Sequence, residues 1–117
     1  MGRVAVTFRN LKASKTLEQD IRERVEKLET YYPDIKTCRV LVGVPHRHHE
    51  RGNCFEVRID MLVPGEEIAV SHQHLNKDVT LVVTAAFAAA KRQLQDYARR
   101  QRHAVKAHRV RKSRVAA

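Results

Sequence analysis

Phe55-Glu56-Val57-Arg58-Ile59-Asp60-Met61-Leu62-Val63 alternates apolar and polar residues along most of its length, and Pro64-Gly65-Glu66 follows directly. Side chains on a strand point alternately to opposite faces, so this pattern predicts a strand with Phe55, Val57, Ile59, Met61 and Val63 on a buried face. The Pro-Gly-Glu connection is too short for a crossover. The next run, Glu67 to His74, is therefore expected to fold back antiparallel as a hairpin, with Ile68 and Val70 toward the core. Glu56, Arg58 and Asp60 mix signs on the opposite face, which suits exposure to water.

Working outward, period two recurs twice. Cys38, Val40, Val42 and Val44 share one face of a run that starts near Lys36. Val4, Val6 and Phe8 alternate with Arg3, Ala5, Thr7 and Arg9. Between these runs the period changes. Asn10 to Ala13 reads as a turn, and Leu17, Ile21, Val25, Leu28 and Tyr32 follow at steps of three and four, the apolar stripe of an amphipathic helix. Ser14 is a candidate N-cap, with Thr16 and Gln19 as a competing capping box, and Pro33 stops the helix. A second helix opens after Asp78. Val79, Val82, Val83, Ala86, Phe87, Ala90, Leu94 and Tyr97 carry its apolar stripe, within an alanine-rich stretch of high helix propensity.

The expected fold is α+β: β-α-β-β-β-α, a four-stranded sheet with two helices packed on one face and the other face in water. A chain of 117 residues supports one small domain. Residues 1–105 are expected to form it. Residues 106–117 read as a basic, disordered tail, because nothing there remains to bury.

The charge is segregated. From Lys91 to Ala117 there are ten Lys or Arg against Asp96 alone, a balance of +9, whereas the preceding ninety residues hold thirteen bases and twelve acids. The first helix intersperses acids with its bases, as a solvated helix does. The second does not, and clustered base on one helix is the electrostatic footprint of a phosphate-rich partner. Lys91, Arg92, Arg99, Arg100, Arg102 and Lys106 are the candidate contacts on the second helix. No aromatic cluster suited to base stacking stands out, so recognition of RNA shape is expected rather than base reading.

Other chemistries find little support. Four glycines leave no phosphate-binding loop, and no nucleophile elbow or acid–base pair is present, so no enzyme is expected. Cys38 and Cys54 sit in strand-like runs and read as buried free thiols. His46, His48 and His49 in one loop, and His72 and His74 on one strand, lack the recurrent spacing of a structural zinc site, so neither a metal nor another cofactor is expected. No apolar run approaches the roughly 20 residues of a membrane span. The opening Met-Gly-Arg-Val-Ala-Val enters a strand pattern rather than a leader, and the two free thiols point to the cytoplasm.

Two segments carry a family resemblance. Leu17-Glu18-Gln19-Asp20-Ile21-Arg22-Glu23-Arg24-Val25-Glu26-Lys27-Leu28-Glu29-Thr30-Tyr31-Tyr32 resembles the first helix of the ribosome hibernation-promoting factors, also described as ribosome-associated translation inhibitors or sigma-54 modulation proteins. Asp78, Ala85-Ala86-Phe87, Lys91-Arg92-Gln93-Leu94 and the basic stretch from Arg99 resemble the second. The resemblance spans residues 3 to 105. It implies the same β-α-β-β-β-α fold, similar in outline to double-stranded-RNA-binding domains. It also implies docking in the decoding channel of the small ribosomal subunit against 16S ribosomal RNA, where messenger and transfer RNA are excluded and idle ribosomes preserved. By position, Arg24 and Lys27 match the family's basic sites on the first helix. Arg92, Arg99, Arg100 and Arg102 match those on the second. Thr80, Thr84 and Asp96 depart from the family pattern. A short form is implied, monomeric off the ribosome, with no membrane and no small-molecule substrate. A general module for structured RNA, without a ribosomal role, is the alternative that the residues leave open.

Overall fold

The computed structural model describes residues 3–44, 54–75 and 78–116, with the side chains of 75 and 104–116 outside the description. Its elements run β1 (Arg3–Arg9), α1 (Lys15–Tyr31), β2 (Thr37–Gly43), β3 (Cys54–Val63), β4 (Glu66–Leu75) and α2 (Val79–Ala116). This is the expected β-α-β-β-β-α order.

The four strands form one sheet in the order β1-β2-β3-β4. β1 and β2 are parallel, which requires a crossover, and α1 supplies it. The other two pairings are antiparallel. The register aligns Val6, Val40, Ile59 and Val70 in a row across the sheet, with Val4, Cys38, Met61 and Ile68 in a second. Both rows face the helices. Arg39, Arg58 and Leu62 point the other way and are exposed. One sheet face is therefore core and the other is solvated, as the alternation predicts.

The hairpin turn is explained by its two residues. Val63 pairs with Glu66, which leaves only Pro64 and Gly65 to reverse the chain. Proline cannot take positive φ, so the mirror-image turns usual in hairpins are closed to it. Gly65 has φ 88°. Proline first and a glycine of positive φ second is the type II arrangement.

Helix α1 begins at Ser14, whose hydroxyl accepts the Leu17 backbone N–H at 3.2 Å. The rival capping box is not the one used. Leu17, Ile21, Val25 and Leu28 are buried. Outward, Arg22 pairs with Glu18 and Arg24 with Asp20, both at 3.1 Å and one turn apart. Such exposed pairs contribute only about 0.3–0.5 kcal/mol each. The helix ends where Tyr32 donates its N–H to the Leu28 carbonyl, just before Pro33.

Helix α2 is capped by Asp78, whose carboxylate accepts the Thr80 N–H at 2.9 Å. Val82, Val83, Ala86, Phe87, Ala90, Leu94 and Tyr97 are buried. Beyond Tyr97 no described residue of α2 is buried, yet the helix runs on to Ala116. It thus crosses the boundary at 105/106 into residues 106–117, where sequence reading expects a disordered tail. The physical reason lies in propensity. No glycine or proline occurs after Gly65, and alanine, arginine and lysine dominate the stretch.

Candidate nucleic-acid interface

Packing fixes which side of α2 faces outward. Ala90, Leu94 and Tyr97 turn inward. At about 100° per residue, Lys91, Arg92, Arg99 and Arg102 fall within an arc of roughly 100° on the opposite side. All four are exposed. Among the described residues none of the four makes an ion pair. A coherent cationic face results.

Two predicted contacts are differently placed. Arg100 points toward the hairpin and donates to the Glu66 carboxylate at 2.8 Å. Arg24 is half-buried and paired with Asp20. Lys106 lies on the helix, with its side chain outside the described residues.

The two helices bring separate segments together. Arg24 and Lys27 of α1 meet Lys91 of α2 around a cleft of about 430 Å³, with Leu28, Phe87 and Ala88 among its apolar walls and Asp20 and Glu23 also lining it. A second cleft, of about 340 Å³, lies between Tyr32, Ile35, Leu94 and Arg102. Tyr31 lines both and is 74% exposed. Sequence reading overlooked this residue. The signal was present: Tyr31 stands one place off the stripe that ends in Tyr32, so its ring cannot follow the stripe into the core.

The placement of α2 is tied to the hairpin. The Tyr97 hydroxyl donates to the Pro64 carbonyl at 2.8 Å. Burial, with Asp34 and Glu66 nearby, raises this phenol above its ordinary value, against a smaller lowering by Arg100. Tyr97 therefore stays a neutral donor, and with the Arg100–Glu66 pair it fastens the helix where its basic run begins.

The cysteines are buried and free. Burial, then the charges of Glu29 and Asp60, push the Cys38 thiol up to about 12. A thiol so protonated is no nucleophile at neutral pH. Alkylation of native protein at pH 8, read by peptide mass mapping, is expected to leave Cys38 unmodified until denaturant is added. Because the folded state holds this proton more tightly than the unfolded chain, the associated stability is complete below about pH 9. It is lost as pH rises from there toward 12.

His72 and His74 stand with ring centroids 6.4 Å apart and line a small cleft with Leu81, Val82 and Ala85. Among the described residues no group of three or more His, Cys, Asp or Glu could hold a metal ion. The His46, His48 and His49 cluster lies outside the described residues. Among the described residues no helix is long and apolar enough to cross a membrane.

Comparison with known proteins places these features in a wider group. The family described as Sigma 54 modulation protein / S30EA ribosomal protein matches residues 4–102, a stretch that includes both helices' candidate contacts up to Arg102. No curated protein matches the chain by sequence. Among solved structures, a ribosomal subunit interface protein from Coxiella burnetii is similar, with a TM-score of 0.69 and 14% identity over 81% of this chain and 96% of that one. The N-terminal domain of Thermus thermophilus Protein Y is also similar, with a TM-score of 0.67 and 16% identity over 83% of this chain and 99% of that one. At such identities the likeness is one of fold.

Proposed function

We propose a specific ribosomal role for this chain, which belongs to the Sigma 54 modulation protein / S30EA ribosomal protein family. Membership makes it a ribosome-associated, non-enzymatic binding factor. The finer reading is that it binds the small subunit in the decoding channel, against 16S ribosomal RNA. There it sterically blocks messenger and transfer RNA, inhibits translation and preserves idle ribosomes as part of a stress response in the cytoplasm. The observation that carries this reading is the face formed by Lys91, Arg92, Arg99 and Arg102, which are exposed and free of internal ion pairs among the described residues.

The mechanism is one of occupancy. A sheet backed by two helices fills space as one packed unit, and its cationic side is fixed by the burial of Leu94 and Tyr97 on the other side of α2. Arginine forks onto phosphate oxygens and lysine adds a mobile charge. Lys27 and Arg24 extend the contact from α1 at the shared cleft. Arg100, committed to Glu66, acts chiefly by holding the helix. In this reading residues 1–105 make the ribosome-binding unit, and 106–117 extend its basic reach along the RNA.

Cosedimentation with small subunits across a salt series tests the proposal. The four phosphate contacts of the α2 face alone predict a slope of log affinity against log salt of about −3, and the further contacts steepen it. Bulk transfer RNA at low excess should not compete. Competition at low excess would favour the general RNA-binding module instead, and retention indifferent to salt would overturn both.

A further inference from the structure

An exposed aromatic ring set between cations offers a base a stacking surface beside grips for phosphate. Tyr31 is such a ring. It is the last residue of α1 and is 74% exposed. It lines the cleft that holds Lys27 and Lys91 and also the cleft that holds Arg102. Lys91 and Arg102 are eleven residues apart on α2, about 16 Å at the helical rise, a span of a few nucleotides.

We propose that Tyr31 is a stacking platform for one unpaired nucleotide of a single-stranded RNA segment, whose flanking phosphates are held by Lys27 and Lys91 on one side and Arg102 on the other. The proposal rests on the RNA-binding reading above and names the kind of RNA that this part of the surface takes. Charge sets the path of the strand. Asp20 and Glu23 line the first cleft and repel phosphate, so the backbone is confined to the lysine side. Arg24, paired with Asp20, screens that repulsion. Lys27, Lys91 and Arg102 make no ion pair among the described residues and are open to phosphate. Every base has a π-face, so stacking here tolerates any sequence. A duplex cannot use the site, because its bases are already stacked within the helix.

The test measures binding of the full chain, by fluorescence anisotropy, to a short single-stranded RNA and to the same sequence annealed as duplex. Tyr31→Ala is expected to weaken single-strand binding about ten-fold, while duplex binding moves less than about two-fold and the salt slope stays the same. Tyr31→Trp keeps the platform in a chain that has no tryptophan of its own. It should retain affinity, and its indole fluorescence should be quenched by the single strand and not by the duplex. Equal losses on both RNAs for Tyr31→Ala, no loss on either, or an unquenched indole overturn the proposal. Failure of the wild-type chain to bind either RNA would bring down the RNA-binding reading as well. Normal oligonucleotide results with no retention on small subunits would remove only the ribosomal assignment.

Discussion

Reversing three charges on α2, with Arg92→Glu, Arg99→Glu and Arg102→Glu combined, is expected to release the protein from small ribosomal subunits. These residues share one side of the helix, are exposed and have no internal partner among the described residues. Each lost phosphate contact removes about 0.7–0.9 from the salt slope, so three should flatten it by roughly 2 to 3. Charge-assisted hydrogen bonds contribute about 1.5–3 kcal/mol apiece, and the new carboxylates add repulsion. An affinity loss of about 100-fold or more at moderate salt follows. Folding should be untouched, because exposed substitutions away from caps and cores usually shift stability by less than about 0.5 kcal/mol. Circular-dichroism melting checks that point. Arg100→Gln is the internal contrast. Its partner is Glu66 at 2.8 Å, so binding should fall only a few-fold, through loosened fastening of the helix. Small-subunit cosedimentation that stays intact in the triple variant would remove the cationic face as the cause of binding.

Ile59→Ala is expected to be the most damaging single change to stability. Ile59 sits on β3, between Val40 on one neighbouring strand and Val70 on the other, with no exposed surface. Removing its side chain forfeits the burial of three carbons and leaves a cavity that a rigid sheet cannot close. Comparable changes cost about 2–5 kcal/mol. Against the 5–15 kcal/mol typical of small domains, that is a large fraction. The midpoint of thermal unfolding should fall by about 10 °C or more. Leu62→Ala, on the same strand and only three residues away, is the control. Leu62 is 41% exposed on the outer face and should cost well under about 1 kcal/mol. Urea denaturation of the two variants measures the difference. Equal costs would mean that the outer face is covered too, and that the sheet is not one-sided.

Much of this fold was legible because its strands and helices obey their own periods. Val57, Ile59, Met61 and Val63 are buried where alternation placed them, and Leu17, Ile21, Val25 and Leu28 where the helical stripe did. The hairpin was readable from the short Pro64-Gly65-Glu66 connection, whereas the folded chain showed that Glu66 already pairs with Val63 and that Pro64 and Gly65 alone make the turn. The extent of α2 was less so. Loss of apolar residues after Tyr97 removes a packing signal, but a solvated helix rich in Ala, Lys and Arg needs none to continue to Ala116. At α1, two capping patterns overlapped in the sequence, and Ser14 is the one whose hydroxyl accepts the Leu17 N–H.

Composition and periodicity together settled the order of elements, the buried face of each and the end of the chain where positive charge collects. They act locally, through the direction in which each side chain leaves a strand or helix and through the count of charges along it. The assembly of Arg24, Lys27 and Lys91 around one cleft, the isolation of Arg100 against Glu66, and the exposure of Tyr31 between two basic clefts were set by the folded molecule. Each depends on how α1 and α2 lie against each other and against the β3–β4 hairpin. That is a matter of packing between residues far apart in the chain, which no local pattern records.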